Sequence, residues 1–403
     1  MTAAHDICVV NLPLPELSVP RNVSLPDIVD HFKVLKDPRC SINLVYPIED
    51  VIAIAVMGIL AGANGPTAIA KWADTQKPWL GQSLNLPEDR TPSKDVFLNV
   101  LSLLNPTVFQ ACFTSWLESL KLNAMADLGI DRPVFNIDGK TLRRSHDKKK
   151  GLKALHAVSI WAGELGLTLG QVACEEKSNE ITAIPKVLQL TDIKGTIITI
   201  DAVACQKNIA KQIVDAEADY ILAVKGNQKS LFDAVEEILH KQLACNFSDG
   251  QAKQLIVTEK SHGQMETRIY VQMPVPKDLP MLADWAGLKS IGMATRIYKV
   301  EGGETSDVRY FISSMEVDVE EFARGIRGHW SIENPLHWSL DMTFREDYSR
   351  IRDEYGRQNF AFLNRMALSL LKQHPGKESL SIKRQTCGWS PRFLLEVLTG
   401  STT

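Results

Sequence analysis

Two short stretches constrain the fold of this chain more than any other feature. Pro133-Val-Phe-Asn-Ile-Asp138 and Thr196-Ile-Ile-Thr-Ile-Asp201 are apolar, rich in β-branched residues, and each runs into an aspartate. Such runs pattern as strands buried in a sheet that helices cover. Around them the pattern alternates. Residues 155–161 and 165–172 read as a hairpin about Ala162-Gly163-Glu164, 179–190 and 206–217 as helices, and 220–224 as a strand. This alternation predicts a mixed α/β sheet. Acids where such strands end are well placed for a site at the edge of an open sheet, although a lone Asp there is more often a turn or cap residue.

The flanks read differently. Residues 1–24 hold several prolines and no period, and read as a loose N-terminal arm. Residues 25–125 read as an all-helical N-terminal domain. Pro26-Asp27 opens one helix with acid in its first turn, and Gly65-Pro66-Thr67, Thr91-Pro92-Ser93 and Asn105-Pro106-Thr107 each start another. The apolar run at 51–63 is shorter than the ~20 residues that span a bilayer, so it predicts a buried helix and no membrane association. Beyond 225, strands are expected at 267–273, 289–300 and 308–313, with a Gly302-Gly303 turn before the last. A helix then runs in pieces from Asp318 to about 344, and another covers 357–373. The expected organisation is an α/β core made of 126–225 and 321–375, a β-rich insertion at 226–320, and a C-terminal tail at 376–403.

Hydrophobic residues at 44 % and charged residues at 23 % suit a soluble globular protein. The seven cysteines include no Cys-x-x-Cys pair, which argues for reduced thiols rather than a disulfide framework or zinc ribbon. No basic segment precedes an apolar one at the N-terminus, so a cytoplasmic protein is expected. A net charge of −3 weighs against a small dedicated DNA-binding module. A large enzyme, however, can gather its cations locally.

A third segment is unusual: His329-Trp-Ser-Ile-Glu333-Asn-Pro335-Leu-His337-Trp338-Ser-Leu-Asp341. On a helix, His329, Glu333, His337 and Asp341 recur every fourth residue and share one face. Pro335 denies a hydrogen bond to Ser331 and predicts a kink just past Glu333. Trp330 and Trp338 read first as packing residues, with stacking on an unpaired base as the alternative. Basic residues cluster beside each acid-bearing segment. Lys140, Arg143, Arg144 and Lys148–Lys150 follow Asp138, Lys225 and Asn227 close the strand after Asp201, and Arg324, Arg327, Arg345, Arg350, Arg352 and Arg357 surround Glu333. A solvated loop is the plain reading of 143–150, whereas the three clusters together suit a channel for a phosphate backbone. Carboxylates on adjacent strands and a packed helix form a sufficient ligand set for Mg²⁺, which prefers oxygen.

These residues resemble a known family. Asn136-Ile-Asp-Gly-Lys140, Glu176-Lys-Ser-Asn-Glu-Ile-Thr-Ala-Ile-Pro185, Ile200-Asp-Ala202 with Cys205-Gln206, Val224-Lys-Gly-Asn-Gln228, Ser261-His-Gly263 with Glu266-Thr-Arg268, and the His329 to Asp341 segment are similar to the bacterial insertion-sequence DDE transposases that include the H-repeat-associated proteins. The likeness covers nearly the whole chain. It implies an RNase H-like catalytic core with a β-rich insertion, preceded by a helical domain that binds element ends or supports dimerisation. It implies Asp138, Asp201 and Glu333 as catalytic acids and metal ligands for Mg²⁺, with Mn²⁺ as a substitute. The implied partners are double-stranded DNA, both element terminal inverted repeats and target, and a second copy of the chain in a synaptic homodimer.

The interval from Asp201 to Glu333 is 132 residues, similar to relatives in which an insertion separates the second acid from the third. Wider relatives carry Tyr, Arg and Lys around the helix Glu. Here those positions read Ile326, His329 and Leu340, which leaves His329, His337 and nearby arginines such as Arg345 to meet phosphates, and Asp341 as a rival third acid. Lys140, Arg143, Arg144, Lys225 and Asn227 complete the expected DNA contacts. Two other readings compete. His329, Glu333 and His337 could bind Zn²⁺, although His-Glu-x-x-His is absent. An inactive or domesticated relative would bind DNA without cutting it.

Overall fold

The computed structural model describes residues 25–42, 44–84, 86–87, 90–174, 180–245, 251–261, 264–279, 281–300 and 303–400. The arm at 1–24, the motif residues 176–179, His262-Gly263 and Gly302 of the expected turn lie outside the described residues.

Six helices come first: α1 (Leu25–Phe32), α2 (Ile48–Leu60), α3 (Pro66–Thr75), α4 (Lys77–Ser83), α5 (Lys94–Leu103) and α6 (Pro106–Leu128). The prolines act as read: Pro66 and Pro106 sit in the first turns of their helices, where a missing N–H costs nothing. Asn105 caps α6 through Thr107 and Val108, and Gly129 ends it in the left-handed conformation. α2 is buried at all but one of its 13 positions, as its unbroken apolar run requires. No single helix among the described residues is long and apolar enough to cross a membrane.

Nine strands follow: β1 (Val134–Leu142), β2 (Leu155–Ala162), β3 (Leu167–Cys174), β4 (Ile197–Ile200), β5 (Asp219–Val224), β6 (Lys253–Ser261), β7 (Gln264–Pro274), β8 (Ser290–Val300) and β9 (Gly303–Ser313). They form one sheet in the order β3-β2-β1-β4-β5-β9-β8-β7-β6. β1, β2 and β3 are antiparallel neighbours, while β4 and β5 run parallel to β1. The segment read as an insertion does not stand apart. Its last strand, β9, pairs antiparallel with β5, so β6–β9 extend the central sheet.

Helices cover both faces. α7 (Glu180–Val187), α8 (Lys207–Asp215) and α9 (Lys229–Ala244) lie on one, where Phe135, Ile137, Ile198, Ile200 and Leu222 meet Ile184, Ile209 and Val235. α10 (Val319–Ser331) lies on the other, where Val134, Ile197, Ile221 and Phe311 meet Phe322 and Ile326. The alternation along each strand is the period of two that a sheet imposes.

The chain closes with α11 (Ser339–Met342), α12 (Glu354–Gln373), α13 (Leu380–Trp389) and α14 (Pro391–Thr399). The expected tail is therefore helical. Ser379 and Ser390 cap α13 and α14, and both helices pack into one core with α1–α6 and α12. Arg384 fastens this join, donating to the carbonyls of Ile59 (2.9 Å) and Ala63 (3.1 Å) and to Asn64 Oδ1 (2.9 Å).

Candidate catalytic site

The parallel ladder between β1 and β4 ends at the pair Ile137 and Ile200. The next residue on each strand is an acid, Asp138 and Asp201. Adjacent strands lie about 4.8 Å apart, so the two acids emerge side by side. Asp138 is not at the end of its own strand, because β1 continues to Leu142 against β2; it sits where its parallel neighbour stops. Asp201 does end β4. Its Oδ1 accepts from the Ala202 amide (2.7 Å) and starts the tight turn Ala202–Ala204. Two side chains after β5 hold that turn from behind: Asn227 Nδ2 donates to the Ala202 carbonyl (2.7 Å) and Gln228 Nε2 to that of Cys205 (3.0 Å).

The helix bearing Glu333 is docked on these strands through Asn136. Its amide is satisfied at both ends when the nitrogen donates to the Gly328 carbonyl (3.2 Å) and the oxygen accepts from the His329 amide (3.0 Å) and the Thr199 hydroxyl (2.7 Å). Thr199 also meets His329 Nδ1 at 3.1 Å. With the hydroxyl proton given to Asn136, His329 Nδ1 carries the hydrogen and Nε2 the lone pair. Asn136→Ala leaves these buried groups unpaired and is expected to lower stability by about 1–3 kcal/mol in urea unfolding. An unchanged midpoint would show that the helix is held by apolar packing alone.

After α10 the helix does not break at Pro335. It widens into a π-helical segment, Ile332–Trp338, before resuming as α11. The wider turn accommodates the carbonyl that Pro335 cannot satisfy, and such segments are common at functional sites. The four-residue stripe then runs along β1 almost step for step. His329 meets Thr199 beside Asn136, His337 Nδ1 lies 3.8 Å from Asp138 Oδ2, and Asp341 Oδ1 accepts from Lys140 Nζ (2.7 Å). Glu333 is exposed between the two histidines.

Electrostatics single out Asp138. Burial first, then the carboxylates of Glu180, Asp201 and Glu333, push its carboxyl up to about 6, against the opposing effect of the Gly139 amide. The two histidines are pushed the other way, His329 to about 4 and His337 to about 3, chiefly by burial, so both are neutral at neutral pH. An open cleft of about 220 Å³ is lined by Asp138, Gly139, Glu180 and Asp201 with Ile184 and Val203. Among the described residues no three His, Cys, Asp or Glu side chains already close into a metal cage. The chemistry of the donors nevertheless fits a hard divalent cation: the carboxylates crowded around Asp138 disfavour its charge, and a cation relieves it. The zinc reading separates its ligands, since His329 faces Thr199 on β4 and His337 faces Asp138 on β1.

The basic residues divide into two groups. Lys140, read from the sequence as a phosphate contact, is instead 7 % exposed and committed to Asp341 and, at 3.7 Å, Asp347. That ion pair also occupies Asp341, the rival acid. Asn227 serves the turn after Asp201, His329 is committed to Thr199, and His337 faces Asp138. Arg324 is tied to Glu164 and the Arg132 carbonyl, Arg327 to Glu259, and Arg357 to the Lys153 carbonyl. Arg143, Arg144, Lys148–Lys150, Lys225, Arg345, Arg350 and Arg352 remain exposed. Trp330 is flanked by Arg268 (5.9 Å) and Arg309 (5.2 Å), which occupy the ring, whereas Trp338 is 58 % exposed. Reading the sequence for acids at strand ends overlooked Glu180 and His156. The Asp-Gly pair at 138–139 was the signal that something approaches β1 closely.

Comparison with known proteins identifies the family of the chain. Residues 129–370 match the Transposase DDE domain and residues 29–117 the DDE_Tnp_1-associated domain. The chain belongs to the DDE transposase family. It is similar to the "H repeat-associated putative transposase YhhI" of Escherichia coli K12, with 34 % identity over 94 % of this chain and 99 % of that one. It is also similar to the "Putative transposase YncI" of Escherichia coli O157:H7, with 35 % identity over 93 % and 95 %. A solved piggyBac transposase synaptic complex with hairpin DNA aligns over 94 % of this chain and 80 % of that one at 13 % identity and a TM-score of 0.37, too distant to carry structural argument.

Proposed function

We propose that this chain cleaves DNA at the ends of its insertion sequence and joins the resulting 3′-OH to target DNA, using Asp138, Asp201 and Glu333 on an RNase H-like core. The observation that carries this reading is the shared end of the β1–β4 ladder, with both aspartates at it and the Glu333 helix docked across it through Asn136, Thr199 and His329. The strand order β3-β2-β1-β4-β5 and the parallel β1, β4 and β5 support the RNase H-like assignment. Asp138, Asp201 and Glu333 would hold Mg²⁺, or Mn²⁺ in its place, and the bound ions supply activation of the attacking oxygen and stabilisation of the leaving one. His337, neutral and beside Asp138, orients that carboxylate or the scissile phosphate. Arg143, Arg144, Lys225 and Arg345 are exposed in the segments that follow the acid-bearing elements or β5 and hold the DNA backbone, and Trp338, five residues after Glu333, offers an open ring. Helices α1–α6 recognise the element ends or support a synaptic homodimer.

The test is strand cleavage of a duplex bearing the inverted repeats that flank the gene, in Mg²⁺ and in EDTA. Asp201→Asn is expected to lose cleavage and strand transfer while still binding the ends. Full cleavage by that variant would overturn the assignment. End binding with no cleavage by the native chain in either metal would favour a DNA-binding relative without catalysis.

A further inference from the structure

We propose that Glu180 is a fourth carboxylate of the catalytic centre, oriented by His156, and that residue 139 is glycine because this pair fills the room a side chain there would take. The proposal rests on the reading of Asp138, Asp201 and Glu333 given above.

Along β1, Phe135 and Ile137 face the α7 layer while Val134 and Asn136 face α10, so Gly139 falls on the α7 side. A Cβ placed on Gly139 would lie 2.4 Å from His156 Nε2 and 2.5 Å from Glu180 Oε1. Real side chains do not approach that closely, and Gly139 has no positive φ to explain its identity otherwise. What occupies the space is a hydrogen-bonded relay: Thr141 Oγ1 to His156 Nδ1 at 2.7 Å, and His156 Nε2 to Glu180 Oε1 at 2.7 Å. His156 is 2 % exposed and Glu180 9 %. With Nε2 donating to the carboxylate, Nδ1 accepts from Thr141, which fixes the ring and with it one oxygen of Glu180.

A buried acid in the first turn of α7 could be only a structural partner of His156. One observation points further: Glu180 lines the same cleft as Asp138 and Asp201. A carboxylate that lines the cleft, with one oxygen engaged by His156, suits a cation shared with Asp138.

The test is Mn²⁺ binding to the purified full-length chain, followed by the loss of the free-ion electron paramagnetic resonance signal, with no turnover involved. Asp138→Asn serves as the control for the triad. Glu180→Gln is expected to weaken Mn²⁺ binding at least about tenfold, the scale seen when a supporting partner of a metal site is lost. Its circular dichroism and its binding to element ends should stay native. His156→Gln, whose amide can still donate to Glu180, should bind more tightly than His156→Ala. If Asp138→Asn loses Mn²⁺ but folded Glu180→Gln binds it as the native chain does, Glu180 is structural and only this inference fails. If neither variant loses Mn²⁺, the triad reading fails and takes this one with it. Should Glu180→Gln not fold, Glu180→Asp keeps the charge but shortens the reach, and native Mn²⁺ affinity in that variant would equally overturn the proposal.

Discussion

Asp138→Asn is expected to make the metal-free protein melt at a higher temperature than the native chain, by a few degrees at neutral pH. A carboxyl held at about 6 instead of 3.8 is easier to protonate in the fold than in the unfolded chain. Its ionised form then costs the fold up to about 3 kcal/mol. The sign follows from linkage: between those two pH values the folded state binds the extra proton, so stability falls as pH rises and the loss is complete above about 6. Asparagine is nearly isosteric and carries no charge. The difference between variant and native melting temperatures should therefore be small near pH 4 and largest above pH 6. Divalent metal should reverse the order, since a cation that binds only the folded native site stabilises it by mass action and gains little from the variant. Differential scanning fluorimetry in EDTA and in Mn²⁺ across that pH range checks both halves. A variant that melts below the native chain in EDTA at pH 8 would show that Asp138 is stabilised by contacts rather than strained by its neighbours.

The second large effect is structural. Arg365 on α12 and Glu346 are both fully buried, joined at 2.7 Å, with Arg365 also donating to Ser159 Oγ on β2 (3.2 Å) and the Ala361 carbonyl (3.0 Å). This pair clamps the segment after the Glu333 helix onto the sheet. Arg365→Ala strands a buried carboxylate and opens a cavity, and it is expected to cost about 3–5 kcal/mol in urea unfolding. Replacing both partners, Arg365→Met with Glu346→Gln, should recover most of that loss, because no uncompensated charge is left behind. A single variant within about 1 kcal/mol of native would mean that water or another group takes over the carboxylate.

The central strands were legible in the sequence for a plain reason. β1, β4 and β5 are buried in the sheet, so their composition carries their identity, and the acids that follow 137 and 200 needed only the register of the ladder to come together. The proline-led helices were legible from their caps. Other elements were not. α4 opens on a Lys-Pro pair with a single buried side chain, Leu80, and β6 has masked its period with charge, as exposed strands do. The helices at the C-terminus were read as tail because each is short and gains its stability from the core it shares with α2 and α12.

At the site, sequence spacing found the stripe of His329, Glu333, His337 and Asp341, but could not say that two of its members are spent inside the protein. Charge counts near the acids likewise could not tell Lys140, which is buried against Asp341, from Arg143, which meets Asp347 but stays 83 % exposed. Whether a cation is free for DNA depends on an ion pair formed across 201 residues of chain, and no local pattern carries that information.

The route by which β9 returns to β5 bears on what happens while the chain is being made. Asp201 leaves the ribosome 132 residues ahead of Glu333, and β5 must wait for β9 to cover its open edge. Domains fold as units during synthesis, so a nascent or prematurely terminated product holds two acids, a bare strand edge and no third acid. Such a fragment is poised to aggregate rather than to cut. On the proposed triad, competence to cut DNA would then arrive only once Glu333 had been made, and a product interrupted before it would lack the third acid.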